Sequence, residues 1–293
     1  MIDGLKLFIR NTSQSEIHYL KSKLTKCKET IGTDNHLFNG QKDWFRITVK
    51  SNRNIELNGS IHKYFNNGNN STDFTFKELQ LAIKMLCFDI GIQAERIEIQ
   101  NIEIGVNVRG SPIPYFEIEQ NLIHYKHKYF EPYKVKGRSF GYICKLQQFI
   151  LKIYDKGKQL GKTEEILRFE LKVEKMEFQK SVGIKTLADL TDKNKVQGVI
   201  NLSIQRFSNI VFDDYKNIDY EIDRGNVPVK DAIFYLRARN TKYWISINKR
   251  LSKSTVTSHK RRFEEFINKY SKQNLSICIT DILKQKFQQL MLQ

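Results

Sequence analysis

A tyrosine, a carboxylate and several cations recur at alternate positions in residues 148–174, QFILKIYDKGKQLGKTEEILRFELKVE. In the first half, Phe149, Leu151 and Ile153 alternate with Ile150, Lys152 and Tyr154, so Tyr154 shares a face with Lys152 and Lys156. In the second half, Leu167, Phe169, Leu171 and Val173 alternate with Arg168, Glu170, Lys172 and Glu174. Period-two alternation predicts half-buried strands. Paired in one sheet, the two segments put a tyrosine hydroxyl, a carboxylate and basic groups on one surface, a starting point for chemistry on a phosphate. The same alternation equally describes a sheet face that only meets water.

Elements able to position such a face lie on both sides of it. Residues 5–9 read as a first strand. Ser13 and Glu16 have capping-box spacing and open a helix whose apolar stripe is Ile17, Leu20 and Leu24. Residues 44–49 and 54–61 read as two strands joined by a polar turn, and the loop 66–73, NNGNNSTD, is too polar to bury. Thr75 and Glu78 form a second capping box before Leu79, Ala82, Ile83, Leu86 and Ile90, with Gly91 as the stop. Residues 96–109 read as a long strand, with Ile102, Ile104, Val106 and Val108 on one face and Glu103, Gly105, Asn107 and Arg109 on the other. Its parity slips near Gln100 and Asn101, which predicts a bulge.

Beyond the two central strands, Val196, Val199, Ser203 and Phe207 suit a helix. Residues 213–223 read as an acidic surface link, and helices are expected over 229–239, 256–270 and 279–292.

The 293 residues carry 49 Lys+Arg against 32 Asp+Glu, a net charge of +17. An excess of that size points to a polyanionic partner. Two stretches concentrate it. Residues 111–145 read as irregular and interleave aromatic side chains with cations; Lys126, Lys128, Tyr133, Lys134, Lys136 and Arg138 are the candidate contacts to nucleic acid, rings stacking on unpaired bases and cations meeting the backbone. Residues 241–262 contain no acid, and Lys249, Arg250, Lys260, Arg261 and Arg262 are candidates for duplex phosphates, in a helix-turn-helix-like unit. A packed tyrosine-rich loop and a solvated helix face account for the same two patterns.

The four cysteines are far apart, so neither a zinc ribbon nor a disulfide framework is expected, and a reducing, cytoplasmic setting follows. No signal-peptide core and no run of about 18 apolar residues occur, so no membrane association is expected. Nucleotide-binding glycine loops, HExxH and GxSxG are missing. His124 and His127, three apart, have the spacing of a ligand pair but sit in a basic loop-like context.

Several segments in order resemble the phage and plasmid rolling-circle replication initiators of the filamentous-phage gene II/X type. They are ELNGSIHKYFN (56–66), DFTFKELQLAI (73–83), NIEIGVNV (101–108), FILKIYDKGKQL (149–160) and ILRFELKVEKMEF (166–178). The resemblance covers most of residues 1–200 and the C-terminal part more weakly. It implies an enzyme that nicks one DNA strand at an origin, stays joined to the 5′ phosphate through a tyrosine, and later rejoins the displaced strand.

Carried over residue by residue, the resemblance makes Tyr154 the nucleophile. It makes Glu103 (where the pattern has Asp), Glu170 and His62 ligands of a divalent metal, Mg²⁺ or Mn²⁺, which oxygen donors of this kind suit. Lys152 and Lys156 are expected to favour the phenolate, since a free tyrosine ionises only near pH 10. The expected fold is α+β: a mainly antiparallel, split βαβ-like nickase sheet with helices on one side over residues 1–200, and a helix-rich basic C-terminal part over 201–293. Expected partners are single-stranded and duplex origin DNA, with host replication helicase or polymerase. The rivals are a non-catalytic origin- or operator-binding protein and a conjugative relaxase.

Overall fold

In the computed structural model the described residues are 1–31, 36–126, 128–175, 177, 181–271 and 275–293. His127, Met176 and Phe178 lie outside them, so the His124–His127 pairing falls outside the described residues.

Among the described residues ten strands form one antiparallel sheet in the order β2-β3-β4-β5-β1-β6-β12-β11-β10-β9. In chain order these are β1 (Ile2–Ile9), β2 (Thr25–Ile31), β3 (His36–Lys42), β4 (Phe45–Val49), β5 (Ile55–Ser60) and β6 (Ile97–Arg109). Then come β7 (Leu122–Tyr125) and β8 (Lys128–Tyr129), outside this sheet, and β9 (Glu131–Val135), β10 (Arg138–Lys145), β11 (Phe149–Asp155) and β12 (Ile166–Val173) inside it. The α+β architecture with a large antiparallel sheet is as expected. The bulge is also present: Lys6 pairs with Asn101 and Leu7 with Ile99, leaving Gln100 as the extra residue. β2 and β3 extend the sheet where no strands were expected, and the stretch read as irregular holds α4 (Tyr115–Asn121) and β7 to β10.

Both capping boxes form. Ser13 and Glu16 open α1 (Gln14–Lys23). Thr75 and Glu78 open α3 (Phe76–Ile90), and Gly91 closes it at φ 71°, a left-handed conformation that glycine adopts without strain. Between β5 and α3 lies the one-and-a-half-turn α2 (Ile61–Phe65). α3, α6 (Lys193–Ser208) and α11 (Leu275–Leu292) cover one face of the sheet in a single hydrophobic cluster with Leu7, Ile104, Leu151, Phe169 and Leu171.

The remaining helices form a second cluster. β13 (Ile210–Phe212) pairs with β7, and α7 (Tyr215–Asp223) replaces the expected surface link. α8 (Val229–Ala238), α9 (Thr241–Arg250) and α10 (Lys253–Tyr270) pack around Tyr235, Trp244 and Phe263, with Ile123 of β7 and Ile218 of α7. A single boundary at residue 200 does not describe this division. α11 returns from the second cluster to the sheet, burying Ile279, Leu283, Phe287 and Leu290 in the first.

Leu283 is fully buried there, so Leu283→Ala is expected to cost about 3 kcal/mol of global stability. Denaturant unfolding followed by circular dichroism checks this; a loss below about 1 kcal/mol would show that α11 is an appendage.

Candidate active site

The face of the sheet opposite the helices carries the polar residues of the central strands. Their register is fixed by strand pairing: Tyr154 lies opposite Arg168, which lies opposite Asn107, while Lys152 faces Glu170 and Lys172 faces Glu103. This face is not merely wet. Arg168 is 1% exposed, Glu170 3% and Tyr154 3%. Buried polar groups of this density must be paired with one another.

The pairing centres on Arg168. Its Nε donates to Glu170 Oε2 at 3.0 Å, one terminal nitrogen to Asn107 Oδ1 at 2.9 Å, and the other to Asp3 Oδ2. Asp3 also accepts from Asn70 Nδ2 at 2.8 Å and from the Ser60 hydroxyl. Burial pushes the Asp3 carboxyl up, but Arg168 and these hydrogen bonds outweigh it and hold it far below the usual carboxylate range. Burial likewise raises Glu170, and Lys152 and Arg168 bring it down overall. Asp3, Asn70, Asn107 and Arg168 were not among the expected site residues. Only Arg168, in the Arg-Phe-Glu core, carried a signal.

Tyr154 donates from its hydroxyl to Glu170 Oε2 at 3.2 Å. The expected lowering of its pKa by Lys152 and Lys156 does not occur. Burial, then the Glu170 charge, push the phenol well above its ordinary value. Lys152 is committed elsewhere: its ammonium bonds Glu170 Oε1 and lies 4.0 Å from Glu103. Lys156 opens the single turn α5 (Lys156–Gln159), is 5% exposed and donates to Gln159 Oε1 at 2.8 Å. Burial and then Arg168 bring its pKa down to about 8.

Tyr154, Lys152, Lys156, Glu103, Glu170, Asp3 and Tyr133 all line one cleft on this face, together with Lys63 and Lys172. Two glycines make room in it. A side chain at Gly4 would meet the Glu103 carboxylate at 2.6 Å. Gly141 stands between Tyr133 and Tyr154 in the register, and without a side chain there the two rings approach to 5.0 Å.

The expected metal shell is not assembled. Both oxygens of Glu170 are taken, by Lys152 on one side and by Arg168 and Tyr154 on the other. Glu103 shares the cleft but faces Lys152 and Lys172. His62 lies in α2, not at a strand end, with its ring stacked on Phe74 at 4.6 Å and Nε2 buried without a partner. Burial and the amino group of Met1 lower its pKa to about 3, so it is neutral near pH 7. Among the described residues no three His, Cys, Asp or Glu side chains converge as metal ligands. The residues present do not fit the expected ion.

The candidate DNA contacts are spread over two regions. Lys126, Lys128, Lys134, Lys136 and Arg138 are exposed on the edge strands and turns of β7–β10, and only Tyr133 enters the cleft. Lys249, Arg250 and Arg261 are exposed on α9 and α10, and Lys260 is half-buried. Arg262 is used inside the helical cluster, bonded to Asp231 at 2.9 Å and lying 4.2 Å from the centre of the Phe234 ring.

No family model matches the chain, and no curated protein matches it significantly. Among solved structures it is similar to the rolling circle replication initiator protein from Geobacillus stearothermophilus, with a TM-score of 0.42 and 10% identity, covering 69% of this chain and 83% of that one. A likeness at that level leaves the chemistry to the chain's own residues.

Removing the Arg168 charge leaves Asp3 buried without an ion-pair partner and Glu170 with Lys152 alone. Arg168→Met is therefore expected to cost about 3–5 kcal/mol near neutral pH. The wild type holds both carboxyls below their ordinary values of 3.8 and 4.5, so it gains stability above those values and loses it as pH falls through the folded ones. In the variant the two carboxyls protonate more easily, and the deficit should shrink on acidification. Urea titrations at neutral and acid pH check this; a deficit that stays constant would refute the pairing.

Proposed function

We propose that this chain is a DNA strand transferase that opens one strand at an origin for rolling-circle replication, with Tyr154 as the nucleophile. The observation that carries this reading is the Tyr154 hydroxyl donating to the Glu170 carboxylate, in a cleft whose rim supplies lysines. The segments that resemble replication initiators run through the same strands, which supports the biological context.

In this reading Glu170 is the general base and not a metal ligand. It accepts the phenolic proton as Tyr154 Oη attacks the scissile phosphorus. The Oη–P bond forms, the P–O3′ bond breaks, and the 3′ oxygen leaves and takes a proton. The two bonds exchanged are both phosphodiesters, so no nucleotide cofactor is consumed. Lys152 and Arg168 keep Glu170 ionised and ready to accept. Lys156 is the cation placed to meet the phosphate charge that builds in the transition state. Rejoining reverses the step, with a 3′ hydroxyl attacking the phosphotyrosine. The basic faces of α9 and α10 are the proposed hold on duplex DNA beside the opened strand.

The test uses the full chain with a pool of random-sequence single-stranded oligonucleotides in magnesium or manganese buffer, and mass spectrometry of the covalent peptide. The adduct is expected on Tyr154, absent in Tyr154→Phe, and formed about 100-fold more slowly or worse in Glu170→Gln. An adduct that persists in Tyr154→Phe would overturn the assignment. Wild-type binding with no adduct anywhere would favour the non-catalytic DNA-binding reading.

The pH profile gives an independent check. Lys156 is charged below about pH 8 and neutral above it, so adduct formation should decline above about pH 8. Lys156→Arg keeps its charge and should carry activity further into alkali. A wild-type rate unchanged to pH 10 would remove Lys156 from the phosphate.

A further inference from the structure

The cleft has a neighbour on the same face of the sheet. A groove of about 780 Å³ opens over β2 to β5, floored by Asn39, Gly40 and Gln41 and edged by Lys26, Lys28, Arg46 and Trp44. Asn58 lines both the groove and the cleft.

Strand pairing makes the two continuous. Gln41 is opposite Arg46, Arg46 opposite Asn58, Asn58 opposite Lys6, and Lys6 opposite Asn101. Directly opposed residues share a face in an antiparallel sheet. The row therefore crosses five strands, about 19 Å at the usual strand spacing, and ends among the cleft residues Lys6 and Asn101.

The chemistry of the groove is specific. No acid lines it. Among the described residues Lys26, Lys28 and Arg46 are exposed and in no ion pair, unlike Lys6, Lys152 and Lys172 of the cleft. Amide side chains from Asn39, Gln41 and Asn58 line it; Asn39 Oδ1 accepts from Thr48 and Gln41 Nε2 donates to the Asp43 carbonyl, which leaves the Asn39 amide nitrogen, the Gln41 amide oxygen and Asn58 to a ligand. Trp44 stands at the rim with 44% of its surface exposed, and the Lys63 ammonium lies 5.3 Å from its ring centre. A fixed aromatic ring, unpaired cations and amides along one track suit an unpaired polynucleotide, whose bases stack while its phosphates meet the cations. A duplex hides those faces.

We propose that this groove is a second binding site for single-stranded DNA, where the substrate strand lies after it leaves the Tyr154 cleft, with a base stacked on Trp44 and phosphates on Lys28 and Arg46. The proposal rests on the reading of the cleft as the place where the strand is cut. The groove holds the strand but takes no part in the cut.

The protein's own fluorescence tests it. Its two tryptophans are Trp44 and Trp244, and Trp244 has no exposed surface, so quenching by a bound base reports Trp44. Oligothymidylate added to the full chain should quench that fluorescence, and Trp44→Leu should remove the quench. Lys28→Gln with Arg46→Gln, both at exposed strand positions that keep the fold, should weaken oligothymidylate binding about tenfold by anisotropy. The double variant should still form the Tyr154 adduct on saturating oligonucleotide.

Binding of oligothymidylate without quenching, or with wild-type affinity in the double variant, would overturn the groove and leave the nickase reading standing. Quenching with weakened binding in the double variant but no Tyr154 adduct in the wild type would keep the groove and overturn the nickase. Equal displacement by blunt duplex would overturn the assignment to a single strand.

Discussion

Arg168 keeps a full charge in a place with almost no water, and the rest of the site follows from how that charge is satisfied. Burying an ion costs several kcal/mol, which only close, well-aligned partners offset. Its fork reaches three side chains from three separated parts of the chain: Asp3 on β1, Asn107 on β6 and Glu170 two residues along on β12. Asn70, in the loop before α3, closes the set by bonding Asp3, and its backbone carbonyl takes a bond from Asn107 at 3.0 Å. A flexible lysine would not span these acceptors, because the geometry is that of a planar fork. One ion therefore fixes the first strand, two central strands and a polar loop relative to each other.

The same ion decides what Tyr154 can be. A phenol among lysines would ionise more easily, but here the nearest charge is the carboxylate of Glu170. Lys152 neutralises that carboxylate and has no charge left over for the phenol. The ground state is thus a protonated tyrosine bonded to an ionised acceptor, with Arg168 behind the acceptor. Such an arrangement holds the phenol in its unreactive, protonated form and, in the proposed reaction, offers the proton a defined place to go. It also commits both Glu170 oxygens to hydrogen bonds, three in all, so the base and metal roles compete for one carboxylate.

How much of this the sequence showed depends on the distance between partners. The alternation in residues 149–154 and 166–173 was readable because each strand carries its own pattern, and the opposition of Lys152 to Glu170 follows from one local pairing. Asp3 gave no sign, because its partner lies 165 residues away and nothing local distinguishes a strand-start aspartate. β2, β3, β9 and β10 were missed for another reason. They lie toward the two edges of the sheet; β2, β3 and β9 are largely polar, and in β10 Phe140, Tyr142, Ile143 and Cys144 do not alternate strictly, so the pattern that marks a half-buried strand is weak in them. α9 was masked by its charge: it buries one large side chain, Trp244, among exposed and half-buried neighbours. His62 illustrates the opposite error, since a correctly noticed residue proves to be stacked on Phe74 and turned into the protein.

Across one face, the sheet passes from a dry centre to a wet flank. At β11, β12 and β6 Tyr154, Arg168, Glu170 and Asn107 are buried and paired, which lowers the local dielectric and strengthens every interaction with a developing charge. At β4 and β5 the opposed residues Arg46 and Asn58 are exposed and meet solvent. Under the proposed function, a strand that is both held and cut needs the two regimes side by side. Holding tolerates water and gains from long, mobile cations, whereas proton transfer from a tyrosine gains from groups already fixed before the substrate arrives. A continuous antiparallel sheet supplies both, because its register carries one row of side chains from the flank to the centre while burial changes along the row.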